Sequence, residues 1–396
     1  MAAALGLIKA GHQVVVYERY SHARPAGSIL NLWPPPIKAL EDMGVDIKEI
    51  GAGCSTSFWS SSGVKRCEVK IPTGIGAEYG GGFVGLLRPD LYSRMLDALP
   101  KDTIKFNHNV TEISDKGDNV LLTFADGTKV ETPVLIGADG IESFTRRYLW
   151  GPQDKRPHNL FVYGGYTLHE DFNNADSEVR IIHSPTTQCA VTAIKSKGRR
   201  GVQWWFVEGW PDDKPVPESG EQVHQRAVKQ AAESFPTVAD VVRKTPATQT
   251  QIWKIRDLKP IPHWSKGRIT LAGDAAHATS PYAAYGAGMS ICDGYFLGQL
   301  LHGVELSDKS AVSEALVQYE RCRMAHTYEQ VNLAYFNGQF FHHTPWYLRF
   351  FRDALLNWTP FMQWVVGDRN ANSILAQLDE MGDGILKPAP HRVTVA

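Results

Sequence analysis

The most specific chemical pattern in this chain lies in residues 267–294, which read GRITLAGDAAHATSPYAAYGAGMSICDG. A short apolar strand ends at Gly273 and Asp274, where a carboxylate can accept hydrogen bonds from the hydroxyls of a ribose or ribityl chain. Pro281 then leads to a run of small residues, 286–288, that opens a helix. Unpaired N–H groups at that helix start stabilise negative charge, and the small side chains let a flat ring approach.

Two other carboxylates follow short apolar runs. Glu18 ends the run 14–17, and in a dinucleotide-binding fold an acid at the end of the second strand binds a ribose hydroxyl. Asp139 ends the run 134–137 within GADGIESFTRR, where the missing side chain of Gly137 permits close backbone approach. Each signal is weak alone, because such an acid is often solvated or bonded within its own turn.

The elements that must position these acids alternate between helix and buried strand. Residues 1–10 predict a helix that stops at Gly11, and residues 14–17 predict a buried parallel strand. The alternation of strand and helix recurs with a strand at 268–272 and a helix at 288–301. This alternation predicts an α/β fold, and His277, just after the Asp274 turn, is interpreted as a structural residue.

Other segments change the pattern. Residues 24–36 hold Gly27 and four prolines and predict a loop before a short helix at 37–43. Antiparallel strands are expected between 104 and 131. The aromatic stretch 346–366 predicts a helix pair that faces the core or a dimer partner, with contact at a membrane surface as the alternative.

Composition excludes several classes of protein. Lys and Arg total 41 against 42 Asp and Glu, so the net charge of -1 predicts no nucleic-acid partner and no firm membrane association. The five cysteines have no C-x-x-C spacing, which argues against a disulfide framework or a metal site. No long uncharged apolar stretch or secretory signal is present, and a cytoplasmic location is expected.

Together these motifs resemble the FAD-dependent aromatic hydroxylases, the group A flavoprotein monooxygenases, especially their fungal salicylate-hydroxylase-like branch. AAALGLIKAGHQVVVYER resembles the first helix and second strand of that family, GADGIESFTRR its DG motif and LAGDAAHATSP its GD motif. GAGMSICDG is similar to the helix start below the flavin ring, and YERCR at 319–323 to the Tyr-Glu-x-x-Arg helix. The resemblance runs from Met1 to about Arg323.

The resemblance implies a fold of the α/β (α+β) class. A Rossmann-like FAD-binding domain would comprise residues 1–150 and 266–310. A β-sheet substrate domain would span residues 151–265, and a helical C-terminal segment would span residues 311–396. A homodimer is an open alternative to a single chain.

The resemblance also implies which residues bind FAD. Glu18 would bind the ribose, Arg24 and Arg88 would lie on the phosphate side, and Asp139 would contact FAD and the nicotinamide reductant. The residues expected around the ribityl chain and the flavin ring are Gly273, Asp274, Pro281, Gly286, Ala287, Gly288 and Met289.

The implied chemistry is reduction of FAD by NADH or NADPH, reaction with O2 to a C4a-hydroperoxyflavin, and transfer of one oxygen to a small aromatic substrate. A histidine near a phenol would help remove its proton, and His169 is the candidate, with a structural histidine as the alternative. Trp204, Trp205 and Trp210 could line the pocket. Adjacent strand residues face opposite sides, so at most one of Trp204 and Trp205 points inward.

This chain departs from the family pattern at three places. The first strand and the G-x-G-x-x-G turn lie outside it, which predicts either a truncated form of a longer protein or weaker FAD binding. Ala284-Tyr285 replaces the usual Gly-Ala, and residues 289–293 replace Gln-Gly-Ile-Glu-Asp. Two alternatives stay open: a flavin-weak or flavin-free binding protein or non-redox catalyst, and an FAD oxidase of the same fold.

Overall fold

Alternating helices and strands build a mixed α/β structure around one large sheet. The computed structural model describes residues 1–24, 29–216 and 220–387. The helices are α1 Ala2–Lys9, α2 Pro34–Asp42, α3 Thr73–Glu78, α4 Arg88–Asp97, α5 Phe144–Trp150, α6 Gly220–Ser234, α7 Ala239–Arg243, α8 Asp274–His277, α9 Gly286–Leu301, α10 Lys309–His342, α11 Trp346–Trp358 and α12 Arg369–Met381. The strands are β1 Val16–Tyr17, β2 Ile29–Leu32, β3 Ala52–Ser60, β4 Lys65–Val69, β5 Phe83–Leu87, β6 Ile104–Lys105, β7 Val110–Asp115, β8 Val120–Phe124, β9 Lys129–Thr132, β10 Leu135–Gly137, β11 Lys155–Thr167, β12 Glu178–His183, β13 Thr187–Ser196, β14 Arg199–Gly209, β15 Gln251–Leu258 and β16 Ile269–Leu271.

The large sheet has nine strands in the order β15-β11-β14-β13-β12-β3-β5-β2, with β4 paired to β3. Its strands are antiparallel except for the parallel pair β3 and β12. Four of the strands, β2 to β5, come from residues 29–87 and lie ahead of the expected substrate domain. The sheet therefore crosses the boundary expected at residue 151, and the division into domains remains a proposal.

The predicted carboxylates stand at the ends of two short parallel strand pairs. β1 pairs with β6, and β10 pairs with β16. Glu18 follows β1, Asp139 follows β10 and Asp274 follows β16. The antiparallel strands expected between residues 104 and 131 are confirmed as the sheet β7-β8-β9.

Glycines allow α1 and α9 to pack backbone against backbone. A Cβ added at Gly6 would lie 1.9 Å from the carbonyl oxygen of Gly294, and one at Gly298 would lie 2.4 Å from the carbonyl oxygen of Gly6. No side chain fits at either contact. This packing fixes α9, whose first turn carries the small residues singled out in the sequence.

One local prediction was wrong. The loop expected over residues 24–36 holds strand β2, and α2 begins at Pro34 rather than at residue 37. Prolines are tolerated in the first helical turn because its N–H groups have no intrahelical partner. Residues 25–28 of that segment lie outside the described residues.

The aromatic stretch 346–366 does not face the core as predicted, and its contact with a dimer partner or a membrane surface stays a prediction. It forms α11 and a π-helical turn, Gln363–Asp368, but its aromatic side chains face solvent: Trp346, Trp358 and Trp364 are 79%, 74% and 64% exposed. The inner side of α11 is made by the buried Arg352 and Leu356 instead. None of the described helices is long and apolar enough to cross a bilayer.

Candidate active site

The carboxylate of Asp274 is accessible to solvent and accepts no hydrogen bond from the described residues. Gly273 before it adopts a positive φ of 61°, which favours glycine. Desolvation by the surrounding protein raises the pKa of Asp274, although the charges of His277 and Arg88 lower it in part. The fold thus brings Arg88, which the resemblance placed on the phosphate side, close to Asp274 and leaves this acceptor free for a ligand.

A buried ionic network stabilises the turn that carries Asp274. Asp293 on α9 accepts hydrogen bonds from the Gly273 N–H at 2.8 Å, from His277 Nε2 at 2.6 Å and from Arg323 Nε at 2.9 Å. Burial alone would raise the pKa of Asp293, but these partners bring it down to about 2. The interpretation of His277 as a structural residue agrees with this contact. The sequence had marked Asp293 and Arg323 only as parts of motifs.

The start of α9 offers free backbone donors beside Asp274. Its N-cap residue, Tyr285, makes no side-chain capping hydrogen bond. A Cβ at Gly288 would lie 2.5 Å from the Tyr285 ring, so glycine is required there by packing within the protein. Pro281 and Ala287 are both exposed. Free N–H groups, small residues and an unpaired carboxylate fit the ribityl chain and ring of FAD.

The turn after β10 is held largely by its own residues. Asp139 accepts hydrogen bonds from the Ser143 hydroxyl and from the Thr145 N–H at 2.9 Å, so both of its carboxylate oxygens serve the turn. Arg146 donates to the carbonyl oxygen of Ala275 at 2.9 Å, which ties this turn to the Asp274 turn. The assignment of Asp139 to cofactor contact stays a prediction.

In the segment after β1, Glu18 and Arg24 both contact Tyr20. Glu18 Oε1 accepts a hydrogen bond from the Tyr20 N–H at 3.0 Å, and the Arg24 guanidinium lies 4.2 Å from the centre of the Tyr20 ring. Arg24 is exposed and Glu18 is half-buried. Both remain open to a ligand, and their roles toward FAD stay predictions, as does the expected weakening of FAD binding.

A cavity lies between the large sheet, α10 and the C-terminal segment, and the turn Pro281–Ala283 closes one side of it. The cavity volume that is open to the centre of a water molecule is about 70 Å³. Its apolar walls come from strands, from α10 and from the segment after α11. The residues that give its shape include Phe58, Phe83, Val179, Ile181, Trp205, Leu333, Phe341, Met362 and Val366.

A neutral histidine forms one polar part of the cavity wall. His183 is buried, and its ring stacks on Phe341 with ring centres 3.9 Å apart. Burial, with the charge of Arg66, holds the pKa of His183 well below 6.5. The Gln188 amide lies 3.3 Å from its Nε2 and donates to it, which leaves the proton on Nδ1. Nδ1 has no protein partner.

A second histidine orients a tyrosine of the wall. The Thr186 carbonyl oxygen accepts a hydrogen bond from His342 Nδ1 at 2.8 Å, so the Nε2 of a neutral His342 is an acceptor. The hydroxyl of Tyr282 donates to this Nε2. Burial lowers the pKa of His342 to about 4, which keeps it neutral near pH 7. Sequence reasoning missed His183, Tyr282 and His342, because the cavity joins segments far apart in the chain.

His169 requires a correction. It follows the end of β11 as the cap of a short 3-10 turn, with its side chain 44% exposed and its Nδ1 3.4 Å from Asp171 Oδ2. It does not line the cavity. Trp205 lines the cavity while Trp204 is buried on the other face, in agreement with the strand alternation.

Comparisons with known proteins agree with this geometry. The family model described as "FAD binding domain" matches residues 1–334. The 6-hydroxynicotinate 3-monooxygenase of Pseudomonas fluorescens is 28% identical over 76% of this chain and 80% of its own length. The salicylate hydroxylase of Pseudomonas putida is 26% identical over 82% of this chain and 79% of its own.

A solved structure shows the same fold. The crystal structure of Klebsiella pneumoniae HpxO complexed with FAD and uric acid superposes with a TM-score of 0.81 at 21% identity, over 95% of this chain and 94% of that one. At this identity the likeness concerns the fold alone. Among the described residues, no cluster of His, Cys, Asp and Glu could hold a metal ion.

Proposed function

This chain belongs to the FAD binding domain family, and from that membership we propose that it is an FAD-dependent monooxygenase that hydroxylates a small aromatic molecule with O2 and NADH or NADPH. The observation that carries the proposal is the turn Pro281–Ala283, which lies in the chain between the Asp274 turn and the start of α9. The same turn helps to line the cavity, so the residues proposed for FAD and the cavity are joined by one short segment.

When FAD is bound, its flavin ring supplies the redox chemistry and the activation of O2. The chain supplies the binding groups. Asp274 would accept hydrogen bonds from the ribityl hydroxyls, and Arg88 beside it adds positive charge for the phosphate side. The N–H groups of residues 286–288 would stabilise negative charge on the ring.

The cavity would hold the aromatic substrate and exclude water. Phe58, Trp205 and Phe341 provide flat apolar contact surfaces around it. Exclusion of water protects a reactive oxygen species from unproductive decay and strengthens every hydrogen bond formed inside.

His183 would hold a substrate oxygen. With its proton on Nδ1 and no protein partner for that atom, it offers a hydrogen bond to a phenol or carbonyl oxygen. Tyr282 would position the substrate through its ring, since its hydroxyl is directed to His342. We therefore place His183, rather than His169, as the substrate-binding histidine.

The proposal is tested on the purified full chain supplied with FAD. We expect visible flavin absorbance, oxidation of NADH or NADPH that an accepted aromatic compound accelerates, and incorporation of one atom of ¹⁸O₂ into the product. Hydrogen peroxide as the sole oxygen product with every aromatic compound offered would indicate an oxidase instead.

The binding site is tested by Asp274→Ala. Loss of a charged acceptor for ribityl hydroxyls weakens FAD binding by about 1 to 3 kcal/mol, a rise in Kd of roughly 5- to 150-fold. Asp213→Ala is the matched control, because Asp213 is an exposed carboxylate far along the chain from these turns. Equal FAD affinity of both variants would contradict the role of Asp274.

A further inference from the structure

We infer that the cavity selects an uncharged aromatic substrate and rejects aromatic carboxylates. The inference rests on the proposed function, because it names the substrate class of the same site. It starts from the side chains that line the cavity, among which there is no Asp, Glu, Lys or Arg in the described part of the chain. Every polar group of the wall is neutral.

The neutral groups of the wall are amides, hydroxyls and rings. The amides are Asn31, Gln188, Gln330, Asn337 and Asn370. His183 belongs with them, since its buried ring is held neutral by desolvation and by nearby positive charge. No lining side chain can therefore form an ion pair with a carboxylate.

The buried arginines Arg352 and Arg66, whose charges act on His183, are paired outside the cavity, although Arg66 Nη1 has no partner among the described residues. Arg352 Nη2 lies 2.9 Å from Asp353 Oδ1 and donates through Nη1 to the Phe341 carbonyl oxygen at 2.8 Å. Arg66 Nη2 lies 3.5 Å from the same Asp353 oxygen, and its Nε donates to Asn357 at 2.8 Å. Neither arginine lines the cavity.

The wall does provide unpaired polar atoms for a neutral ligand. Thr56 Oγ1, Trp33 Nε1 and His183 Nδ1 are buried at the cavity and have no partner among the described residues. Thr56 faces Val179 across β3 and β12, so the strand rise separates it from His183 by about 13 Å along the sheet. Hydroxyl, carbonyl or ring-nitrogen groups at two ends of a ligand would satisfy these atoms.

A carboxylate in this cavity would lose its water without gaining a cation. Desolvation of an ion that is not paired is far more unfavourable than desolvation of an amide or hydroxyl that finds hydrogen-bond partners. The relatives named above act on 6-hydroxynicotinate and salicylate, which are carboxylates. The cavity of this chain therefore points to a different substrate class from theirs.

The experiment compares matched ligands on the FAD-loaded full chain. Salicylate is paired with salicylamide, and 3-hydroxybenzoate with 3-hydroxybenzamide, so that each pair differs in charge at nearly constant shape. Dissociation constants are measured by calorimetry and by the change in flavin absorbance. We expect each amide to bind at least 10-fold more tightly than its acid. Carboxylates that bind as tightly as their amides would overturn the inference.

A charge introduced into the wall should reverse the preference. Asn337 lies half-buried on α10, where arginine is a good helix former. Asn337→Arg is expected to raise the affinity for the acid of each pair at least 10-fold relative to its amide. Asn337→Met adds similar length without charge and is expected to leave the preference for amides unchanged. Arg66→Met tests the other buried cation near His183. If the unchanged chain prefers the carboxylates and Arg66→Met loses that preference, Arg66 recognises the carboxylate and the inference is contradicted.

Binding and turnover separate this inference from the proposed function. Selective binding of the neutral ligands without ¹⁸O incorporation would uphold the inference about the cavity and refute the monooxygenase. Hydroxylation of acids in preference to amides would uphold the monooxygenase and refute the inference.

Discussion

The Asp293 network and the cavity both contain buried polar groups, but those of the network are charged and paired, whereas those of the cavity are neutral. Around Asp293, carboxylate and guanidinium are fully buried and directly paired, and the ion pair sits among hydrogen bonds to His277 and Gly273. Around the cavity, His183 and His342 are neutral, and several wall atoms have no partner. Paired charges are suited to fixing a backbone turn, whereas unpaired neutral groups are suited to receiving a ligand.

The difference also shows where stability and function lie. The Asp293 carboxylate is paired without any ligand, although Arg323 Nη1 and His277 Nδ1 have no partner among the described residues. Its ion pair should therefore contribute to the stability of the chain alone. The cavity atoms are satisfied only when a ligand arrives, so their burial costs stability in the free protein. Four substitutions test this contrast, in order of expected effect.

The largest effect is expected from Asp293→Ala. Removal of the carboxylate leaves the Arg323 guanidinium buried without its ion partner, which costs about 3 to 5 kcal/mol of unfolding free energy. Urea denaturation at pH 7 measures it. The double variant Asp293→Leu/Arg323→Met, which removes both charges, is expected to be more stable than Asp293→Ala. A loss below about 1 kcal/mol in Asp293→Ala would show that the network is not a source of stability.

The next effect depends on pH. His342 has a folded-state pKa of about 4 against an ordinary 6.5, so the unfolded chain binds more protons between these values and stability is lost as the pH falls below 6.5. His342 alone accounts for about 2 kcal/mol of that loss at pH 5. His342→Gln should therefore show a flatter decline between pH 6.5 and 5.

The control is His22→Gln, since His22 is exposed. Asp293 behaves differently: its folded-state pKa of about 2 lies below its ordinary 3.8, so its contribution is complete above pH 3.8 and is lost only below that value. An identical pH profile for His342→Gln and the unchanged chain would contradict the assignment of a neutral, buried His342.

A smaller effect is expected where the two regions meet. Tyr285 stacks on Trp33 with ring centres 4.6 Å apart, and its hydroxyl donates to Gln377 on α12 at 3.0 Å. Tyr285→Phe keeps the stacking and removes the donor, at a cost of about 1 kcal/mol. Thermal unfolding measures it. The ligand pairs should bind Tyr285→Phe with unchanged preference, because this hydroxyl is already engaged with α12.

The smallest effect is expected just after the turn Pro281–Ala283. Ala284 has a φ of 47°, a left-handed conformation that costs an alanine about 1 kcal/mol relative to glycine. Ala284→Gly relieves this strain but adds freedom to the unfolded chain, so the net gain should stay below about 1 kcal/mol. Ala283→Gly, at a neighbour without positive φ, is expected to destabilise the chain instead. A loss of stability in both variants would show that Ala284 is not strained.

The sequence predicted the elements that carry local signals. The helix stop at Gly11, the buried strand before Asp274 and the helix after Gly286 each depend on residues within one short window. The strand before Glu18 was predicted as buried over residues 14–17, but only Val16–Tyr17 form it, both are half-buried, and Val15 is 50% exposed. The roles of Asp274 and Arg88 toward FAD came from the resemblance to a known family, and their closeness to each other is a finding of the fold. The prediction at residues 24–36 failed because the same prolines are compatible with a loop and with a first helical turn.

The cavity could not be predicted in the same way. Thr56, His183, Tyr282 and Phe341 come from four segments, and no spacing in the sequence brings them together. The choice of His169 shows the limit. It was interpreted as a residue of the first strand of the substrate domain, but that strand ends at Thr167, and the His169 side chain caps the following turn and is 44% exposed.

The exposed aromatic side of α11 has an optical consequence. Of the eleven tryptophans, Trp346, Trp358 and Trp364 are largely exposed to water, whereas Trp33 is buried at the cavity. Indole emission from the first group should be red-shifted and easily quenched by acrylamide, and that of Trp33 should be shielded. Intrinsic fluorescence can therefore distinguish a ligand that enters the cavity from a surface or second molecule that covers α11, without any label.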